Sequence, residues 1–239
     1  MDRRFLKMQA QAWARYRSLS AQADEWARGA GDETLTDDDV TANGPGSYLH
    51  NTETIRAWLP RVFSSYGIES MLDVPCGDGN WMRHVDLTGI HYIGWDVDAG
   101  NIRHARRRMP GHILACVNIL SPLAEAPAVD LIFCRKFLPH LPNAAIRRVL
   151  ETFIDSGARY LIADNYHADN DVDCPLDGGH TGAVGSHAPL PGYYYRPVNL
   201  EAEPFNLPGR VEAIDEPGLP GEQYADIRQE MVLFDLDQT

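Results

Sequence analysis

The sequence from residue 70 to residue 81 reads Ser-Met-Leu-Asp-Val-Pro-Cys-Gly-Asp-Gly-Asn-Trp. Its apolar first half, residues 70–75, predicts a β-strand that carries one acid, Asp73. The second half is a loop with two glycines, Gly77 and Gly79. Because glycine has no Cβ, backbone at such a loop can approach a ligand closely. The stretch therefore predicts a buried strand that ends in a ligand-binding turn.

A second predicted strand, residues 91–97, also ends in an acid, Asp96. In parallel sheets, an acid at the end of the strand that follows a glycine-rich turn can accept hydrogen bonds from both hydroxyls of a ribose. The glycine loop and Asp96 together predict a pocket for a cofactor that contains a nucleoside.

The spacing within the loop indicates which nucleoside cofactor is favoured. A dinucleotide fingerprint requires Gly-x-Gly-x-x-Gly at the start of a helix. Here the pattern is Asp-x-Pro-x-Gly-x-Gly, and Met82 stands where the third glycine would be. The carboxylate of Asp73 would repel a phosphate but could accept from an ammonium group. These features favour an amino acid joined to adenosine, S-adenosylmethionine, and a nicotinamide-dependent enzyme on a similar sheet is the alternative.

Four segments of the chain resemble the class I S-adenosylmethionine-dependent methyltransferases, in the order of that family: residues 72–81, 92–97, 117–119 and 130–141. Pro75 stands where most members have the first glycine. A bacterial subgroup with the loop Asp-x-Pro-Cys-Gly-Asp-x-Asn-Trp is more similar, and two flanking stretches, residues 46–60 and 196–208, resemble it as well.

The resemblance implies an α/β fold, a Rossmann-like three-layer sandwich with a seven-stranded, mostly parallel sheet in the order 3-2-1-4-5-7-6 and an N-terminal helical cap. The pattern of the chain independently predicts a parallel sheet that is covered on both faces, because apolar strands alternate with amphipathic helices. The predicted strands are residues 70–75, 91–97, 112–117, 130–135, 159–164, 210–215 and 230–236. Asn51 and Asp98 are predicted to cap two helices, and a third is predicted from about residue 142, with Ile154 on its apolar face.

The chain is expected to have two domains. Residues 1–45 form the N-terminal helical cap, whose apolar side chains recur at helical spacing from Phe5 to Trp26. Residues 46–239 form the cofactor-binding domain, in which residues 166–209 are a substrate-side loop insertion. The apolar stripe of the cap is predicted to dock on the main domain, and a lid or a homodimer contact is the alternative.

The predicted cofactor site combines residues from several strand ends. Asp73 would receive the ammonium group, Gly77 and Gly79 would lie along the methionine part, Asp96 would hold the ribose, and Asn118 would face the adenine amino group. By resemblance, the full set is Asp73, Pro75, Gly77, Gly79, Trp81, Asp96, Val97, Asn118, Ile119 and Arg135. For the two glycines, Asp96 and Asn118, the alternative is an ordinary role in a turn or at a strand end. Arg56 or residues 44–47 are further candidates for the cofactor carboxylate.

The turn after the fourth strand is predicted to face the transferred methyl group. His140 could act there as a general base, since a neutral imidazole can take a proton near pH 7, and the alternative is a packing role. Lys136 would indicate an anionic acceptor if its side chain points inward. Arg196 is a candidate for an acceptor carboxylate or phosphate. Asn165 and Tyr194 complete the predicted acceptor residues.

A metal site is a weaker alternative for the long loop. Ligands could come from His167, Asp171, Cys174, His180 and His187. Their spacing matches no recognised ligand pattern, so no metal is predicted.

Bulk composition excludes several classes of protein. The chain has 239 residues, 44% hydrophobic residues and a net charge of -13, which disfavours a nucleic-acid partner. No apolar run approaches membrane-spanning length, and the first residues lack the apolar core of a signal peptide. The four cysteines are scattered, so a disulfide framework is not expected. A cytoplasmic protein without membrane contact is predicted.

These features predict methyl transfer from S-adenosylmethionine to a small-molecule acceptor, with S-adenosylhomocysteine as the product. Oxygen is favoured over nitrogen as the acceptor atom because of His140. The alternative is a regulatory or partner subunit that binds S-adenosylmethionine without transferring its methyl group.

Overall fold

A computed structural model describes residues 41, 43–170, 173, 195–216, 224 and 226–238. The predicted cap at residues 1–45 lies outside the described residues, apart from its last positions. Most of the predicted insertion also lies outside them, including Tyr194 and Cys174. The fold and the candidate site are therefore built from residue 41 onward.

A single sheet of seven strands forms the centre of the molecule, in the order β3-β2-β1-β4-β5-β7-β6. The strands are β1 Ser70–Asp73, β2 His91–Asp96, β3 Ile113–Cys116, β4 Leu131–Cys134, β5 Tyr160–Tyr166, β6 Arg210–Asp215 and β7 Gln229–Asp235. The first five run parallel to one another, and β7 runs antiparallel to both β5 and β6. The predicted fold class and strand order are confirmed.

Three α-helices accompany the strands in the described residues: α1 Glu53–Tyr66, α2 Ala99–Arg108 and α3 Asn143–Asp155. The predicted cap of α2 is confirmed, because the Asp98 carboxylate accepts hydrogen bonds from the backbone of Gly100 and Asn101. The predicted cap of α1 is wrong. That helix begins at Glu53, and the Asn51 side chain instead donates to the Pro45 carbonyl oxygen over 2.9 Å.

Each face of the sheet packs against different helices. On one face, Leu72 and Ile132 pack with Val149 and Phe153 of α3. On the other face, Met71 and Phe133 pack in one cluster with apolar residues of α1 and α2. Because side chains alternate along a strand, Asp73 lies on the same face as Met71. The end of β1 therefore places a carboxyl group on the α1 and α2 side.

Two strand ends differ from the predictions by two residues. The β1 ladder ends at Asp73, before Pro75, whose nitrogen carries no hydrogen to donate. β5 continues to Tyr166 because the antiparallel partner β7 extends the ladder as far as Gln229. Ile154, which was predicted to lie on the buried face of α3, is 37% exposed.

No helix in the described part of the chain combines the length and the apolar character needed to cross a membrane.

The start of β6 depends on a glycine that no other residue can replace without moving the backbone. Gly209 has a φ of 83°, and a Cβ there would lie 2.2 Å from the carbonyl oxygen of Asp235. Gly89 is a matched control, because it has a φ of 81° and open space around the Cβ position.

We expect Gly209→Ala to lower the free energy of unfolding by at least about 3 kcal/mol, since backbone strain and a clash combine. Gly89→Ala should cost about 1–2 kcal/mol, the strain of a positive φ alone. Urea unfolding followed by circular dichroism measures both values. Equal losses in the two variants would show that the contact with Asp235 is not a constraint.

Candidate functional site

The loop after β1 is held between its two neighbouring strands. The Val74 nitrogen donates to the Phe133 carbonyl oxygen over 2.9 Å, and the Cys76 nitrogen donates to the Trp95 carbonyl oxygen over 2.8 Å. Gly77 and Gly79 follow with φ values of 57° and 70°, which lie in the left-handed region that favours glycine. The loop thus lies at the carboxyl edge of the sheet, where ligands bind in open α/β folds.

Asp96 lies beside this loop at the tip of β2. One carboxylate oxygen accepts from the Gly77 nitrogen over 3.0 Å, and the other accepts from the Asp98 nitrogen over 2.7 Å. Burial raises the pKa of Asp96 to about 6, although the hydrogen bonds from the Asp98 backbone and the Asn101 side chain oppose that shift. The group is therefore mostly ionised at neutral pH. A carboxylate has about four acceptor positions, so an ionised Asp96 can also accept from a ligand hydroxyl.

Asp73 is buried and hydrogen-bonded to a neighbouring strand. The Tyr92 hydroxyl donates to its carboxyl group over 2.6 Å, and only 2% of the residue is exposed. Burial raises the pKa of Asp73 to about 8, and the negative charge of Asp96 contributes to the shift. A carboxyl group that is mostly protonated at pH 7 is a poor receptor for an ammonium ion. These surroundings do not support the predicted contact between Asp73 and the cofactor ammonium.

A segment that precedes α1 lies over the glycine loop. We call residues 43–47 the strap. A Cβ at Gly77 would lie 2.8 Å from the side-chain nitrogen of Asn43, so that side chain covers the glycine. The Asn43 oxygen accepts from the Asn101 side chain over 2.9 Å, which joins the strap to α2. No local motif in the sequence indicated this contact.

Arg135, the residue after β4, connects the strap to the rest of the site. Its guanidinium donates to the Gly46 carbonyl oxygen over 2.8 Å and lies 5.6 Å from the ring centroid of Trp81. It also forms a buried ion pair with Glu216, which follows β6. Burial alone would raise the pKa of Glu216, but the charge of Arg135 holds it below the usual value.

Three buried polar atoms near Arg135 have no hydrogen-bond partner among the described residues: Asn80 Oδ1, Arg135 Nε and Glu216 Oε2. Buried polar atoms are nearly always paired, so such atoms call for an explanation. Asn80 and Glu216 did not belong to the predicted site. Asn80 follows the predicted glycine loop directly, which was a usable signal, whereas Glu216 is distant in sequence.

Lys136 follows Arg135, and its φ of 55° turns the chain away from the path of β4. Its backbone nitrogen donates to the buried carboxylate of Asp164. Its ammonium nitrogen lies 3.4 Å from the Tyr195 hydroxyl and 4.0 Å from a carboxylate oxygen of Glu216. Burial raises the pKa of Asp164 to about 6, and the nearby charge of Lys136 opposes that shift. The lysine side chain thus points inward.

His140 ends the short helix Leu138–His140 that follows β4. Its ring centroid lies 5.1 Å from that of Tyr195. The Tyr195 hydroxyl is also hydrogen-bonded to the hydroxyl of Tyr166, the last residue of β5. His140, Lys136 and Tyr195 therefore form one polar group at the ends of β4 and β5, which we call the acceptor-side group.

Two of the predicted acceptor residues make contacts within the protein. The Asn165 side chain donates to Glu201 and accepts from the Leu200 nitrogen, so it fastens the chain beside β5. Arg196 is buried and donates to Leu141 and Asn143, which anchors the segment that leads into Val198. The predicted contacts of these two residues with an acceptor stay predictions. Tyr194 lies outside the described residues.

The remaining predicted cofactor residues lie around the same edge. Asn118 follows β3, and its side-chain oxygen accepts from the Leu120 nitrogen over 2.9 Å, so it has at least the role of a turn residue. Ile119 is buried in the core, and the Val97 carbonyl oxygen accepts from the Cys116 thiol. Pro75 and Trp81 flank the glycine loop. Their assignments to a cofactor stay predictions.

Among the described residues, no group of three or more His, Cys, Asp or Glu side chains is arranged to hold a metal ion. Of the loop residues considered as ligands, His167 is described, and it pairs with Glu230 over 2.7 Å. The other four lie outside the described residues.

Comparisons with known proteins agree with this architecture. A family model described as a methyltransferase domain matches residues 72–156, from within β1 to the end of α3. No curated protein matches the chain. The chain is 14% identical to the magnesium protoporphyrin IX methyltransferase ChlM from Synechocystis PCC 6803 with bound SAH, with a TM-score of 0.59 over 93% of this chain and 97% of that one.

Two other solved structures are similar over comparable lengths. The N-methyltransferase NodS from Bradyrhizobium japonicum, in complex with S-adenosyl-L-homocysteine, is 16% identical, with a TM-score of 0.56 over 91% of this chain and 98% of that one. The DhpI-SAH complex is 14% identical, with a TM-score of 0.56 over 92% and 95% of the two chains. At such identities the likeness shows a common fold.

The buried Asp73 makes a prediction for the dependence of stability on pH. Its pKa is about 8 in the folded protein against an ordinary value of 3.8. The folded state therefore binds the proton more tightly, and the resulting stabilisation is lost as the pH rises from about 4 through 8. We expect the native protein to lose unfolding free energy between pH 6.5 and 9, and Asp73→Asn, which cannot ionise, to lose less.

Denaturant unfolding at several pH values measures this difference. Asp155→Asn, which removes an exposed carboxylate at the end of α3, should follow the native curve. Parallel curves for the native protein and Asp73→Asn would contradict the raised pKa.

Proposed function

We propose that this chain is a class I S-adenosylmethionine-dependent methyltransferase, of the type EC 2.1.1, that transfers a methyl group to a small-molecule acceptor. One observation carries the proposal: the Asp96 carboxylate accepts a hydrogen bond from the backbone nitrogen of Gly77 at the tips of neighbouring strands. The Asp96 carboxylate can accept hydrogen bonds from the two hydroxyls of a ribose. The glycine loop beside it can contact the rest of an adenosyl compound.

The chemistry of the loop favours this cofactor over a dinucleotide. A pyrophosphate is usually bound at the N-terminus of an α-helix that begins in the glycine loop. Here the loop leads into the short 3₁₀ helix Met82–His84, which is too short to provide such a terminus. The acid within the loop, Asp78, would also repel a phosphate, and its own carboxylate is paired with Arg108. An uncharged sugar and a zwitterionic amino acid fit these surroundings better.

In this proposal the described residues form two groups, one for the adenosyl cofactor and one for the acceptor. On one side, Asp96 and the loop hold and orient the adenosyl group. When bound, the cofactor supplies an activated methyl group on a sulfonium, ready for in-line displacement. On the other side, the acceptor-side group of Lys136, His140 and Tyr195 would orient the acceptor. Such alignment can supply about 7–11 kcal/mol of the rate enhancement.

The acceptor-side group favours an oxygen acceptor over nitrogen. The His140 imidazole can take a proton from a hydroxyl group, and the Lys136 ammonium can stabilise the resulting oxyanion or a carboxylate. The His140 ring and the Lys136 ammonium both lie close to Tyr195. Together they suit an acceptor that is a hydroxyl group or a carboxylate. The net charge of -13 favours a small molecule over a nucleic acid.

The proposal extends to the rest of the chain. Residues 1–45 would cap the site and could mediate a homodimer, since their apolar stripe needs a partner surface. The protein would belong to the bacterial subgroup with the Asp-x-Pro-Cys-Gly-Asp-x-Asn-Trp loop, act in the cytoplasm, and require no metal.

Ligand binding tests the cofactor. We expect S-adenosylhomocysteine to raise the melting temperature of the full chain and NAD to leave it unchanged. Asp96→Ala should weaken S-adenosylhomocysteine binding at least tenfold in isothermal titration calorimetry, because the ribose loses its acceptor. The control Asp86→Ala removes an exposed acid nearby and should bind normally. Stabilisation by NAD alone would overturn the assignment.

Turnover separates an enzyme from a regulatory subunit that only binds the cofactor. Incubation with S-adenosylmethionine and a panel of hydroxyl, carboxyl and amine compounds, read by mass spectrometry, should yield a product heavier by one methylene. Tight binding without any methylated product across the panel would favour the regulatory role.

Once a hydroxyl compound has been identified as an acceptor, His140→Ala should lower kcat for it by about 10²–10⁴, the usual contribution of general-base catalysis. His91→Ala, which removes an exposed histidine at the far end of β2, should retain full activity. Unchanged turnover in His140→Ala would exclude an essential base at this position and would favour a carboxylate acceptor, which needs none.

A further inference from the structure

We propose that Arg135 and Asn80 form the binding site for the amino-acid end of the cofactor. The guanidinium of Arg135 binds the carboxylate, and the side-chain oxygen of Asn80 accepts from the ammonium group. This inference rests on the proposed function and names a contact within it. It assigns the ammonium to Asn80 in place of Asp73.

Unpaired polar atoms provide the first observation. Asn80 is 1% exposed and Arg135 is 7% exposed, yet Asn80 Oδ1 and Arg135 Nε have no hydrogen-bond partner among the described residues. Leaving a buried donor or acceptor unsatisfied costs about 1–3 kcal/mol. One of the two atoms is an acceptor and the other is a donor. A carboxylate and an ammonium, joined through one carbon, satisfy that pair.

The strap shows that the two side chains are neighbours. Arg135 donates to the Gly46 carbonyl oxygen, and Asn80 donates to the next carbonyl oxygen, that of Ser47. Because a carbonyl oxygen can only accept, the nitrogen of the Asn80 amide faces Ser47 and its oxygen is left for another donor. Asn80 also lies in the loop directly after Gly79, which places it at the methionine part of the predicted cofactor.

Charge balance favours a zwitterionic ligand at this place. Arg135 forms a buried ion pair with Glu216, and the charges of Lys136 and Asp164 lie beside that pair, so two cations face two carboxylates. Burying an additional uncompensated ion there would be costly. An α-amino-acid group adds one positive and one negative charge together and keeps the balance.

The competing receptor for the ammonium is already occupied. The carboxyl group of Asp73 accepts from the Tyr92 hydroxyl over 2.6 Å and is almost completely buried. That bond occupies one oxygen of Asp73, and the carboxyl group already has a donor, whereas the side-chain oxygen of Asn80 has no donor among the described residues.

Calorimetry with a series of nucleosides on the full chain tests the proposal. The ligands are S-adenosylhomocysteine, its decarboxylated and desamino analogues, and methylthioadenosine, which lacks the amino-acid end. The native protein should bind S-adenosylhomocysteine at least tenfold more tightly than methylthioadenosine. Only S-adenosylhomocysteine carries the ammonium and carboxylate groups that would pair with Asn80 Oδ1 and Arg135 Nε. Equal affinities would overturn the inference without any variant.

Two variants assign the individual contacts. Asn80→Leu, of similar size, should weaken S-adenosylhomocysteine at least tenfold, while its affinities for the desamino analogue and for methylthioadenosine stay within about twofold of native. Arg135→Lys, which keeps a charge opposite Glu216, should weaken S-adenosylhomocysteine and spare the decarboxylated analogue. Methylthioadenosine binding thus also reports whether each variant has folded.

The outcomes separate this inference from the proposed function. If the native protein binds neither S-adenosylhomocysteine nor methylthioadenosine, the proposed cofactor itself is wrong. If it binds both but Asn80→Leu and Arg135→Lys lose affinity for the two ligands equally, the adenosyl site stands and the amino-acid contact is overturned.

Discussion

The buried guanidinium of Arg135 is the interaction on which the site depends. It bonds to the strap at Gly46, lies over Trp81 of the glycine loop and pairs with Glu216 after β6. These three segments come from distant parts of the chain. Removing one partner of a buried ion pair leaves an uncompensated charge, at a cost of about 3–5 kcal/mol. The ion pair between Arg135 and Glu216 therefore links the position of the strap to the position of the segment that follows β6.

The carboxyl groups at the strand tips share a water-poor environment but differ in protonation. Burial raises the pKa of Asp73 to about 8 and that of Asp96 to about 6. The difference has a structural cause, because Asp96 accepts several hydrogen bonds that favour its anion, whereas Asp73 has one tyrosine and a neighbouring negative charge. Near neutral pH, Asp96 is the anion and Asp73 is mostly neutral. Two acids that look equivalent in the sequence thus take different roles.

The fold was largely predictable because its signals are local. The alternation of apolar strands and amphipathic helices predicted the sheet, and Asp98 marked the start of α2 correctly. The errors lie where a tertiary contact overrides a local preference. Asn51 binds the Pro45 carbonyl oxygen and does not cap α1, and β5 extends to Tyr166 because β7 continues to pair with it. A strand's partner decides its length, and that partner is far away in sequence.

By itself, the sequence determined that a glycine loop and the acid Asp96 would meet at the carboxyl edge of a parallel sheet, since strand order and direction bring consecutive strand ends together. Only the tertiary structure decided that Asp73 bonds to Tyr92, that Asn43 covers Gly77, and that Glu216 pairs with Arg135. The physical reason is that hydrogen bonds and desolvation depend on which side chains share a buried volume. No local pattern in the chain encodes that neighbourhood.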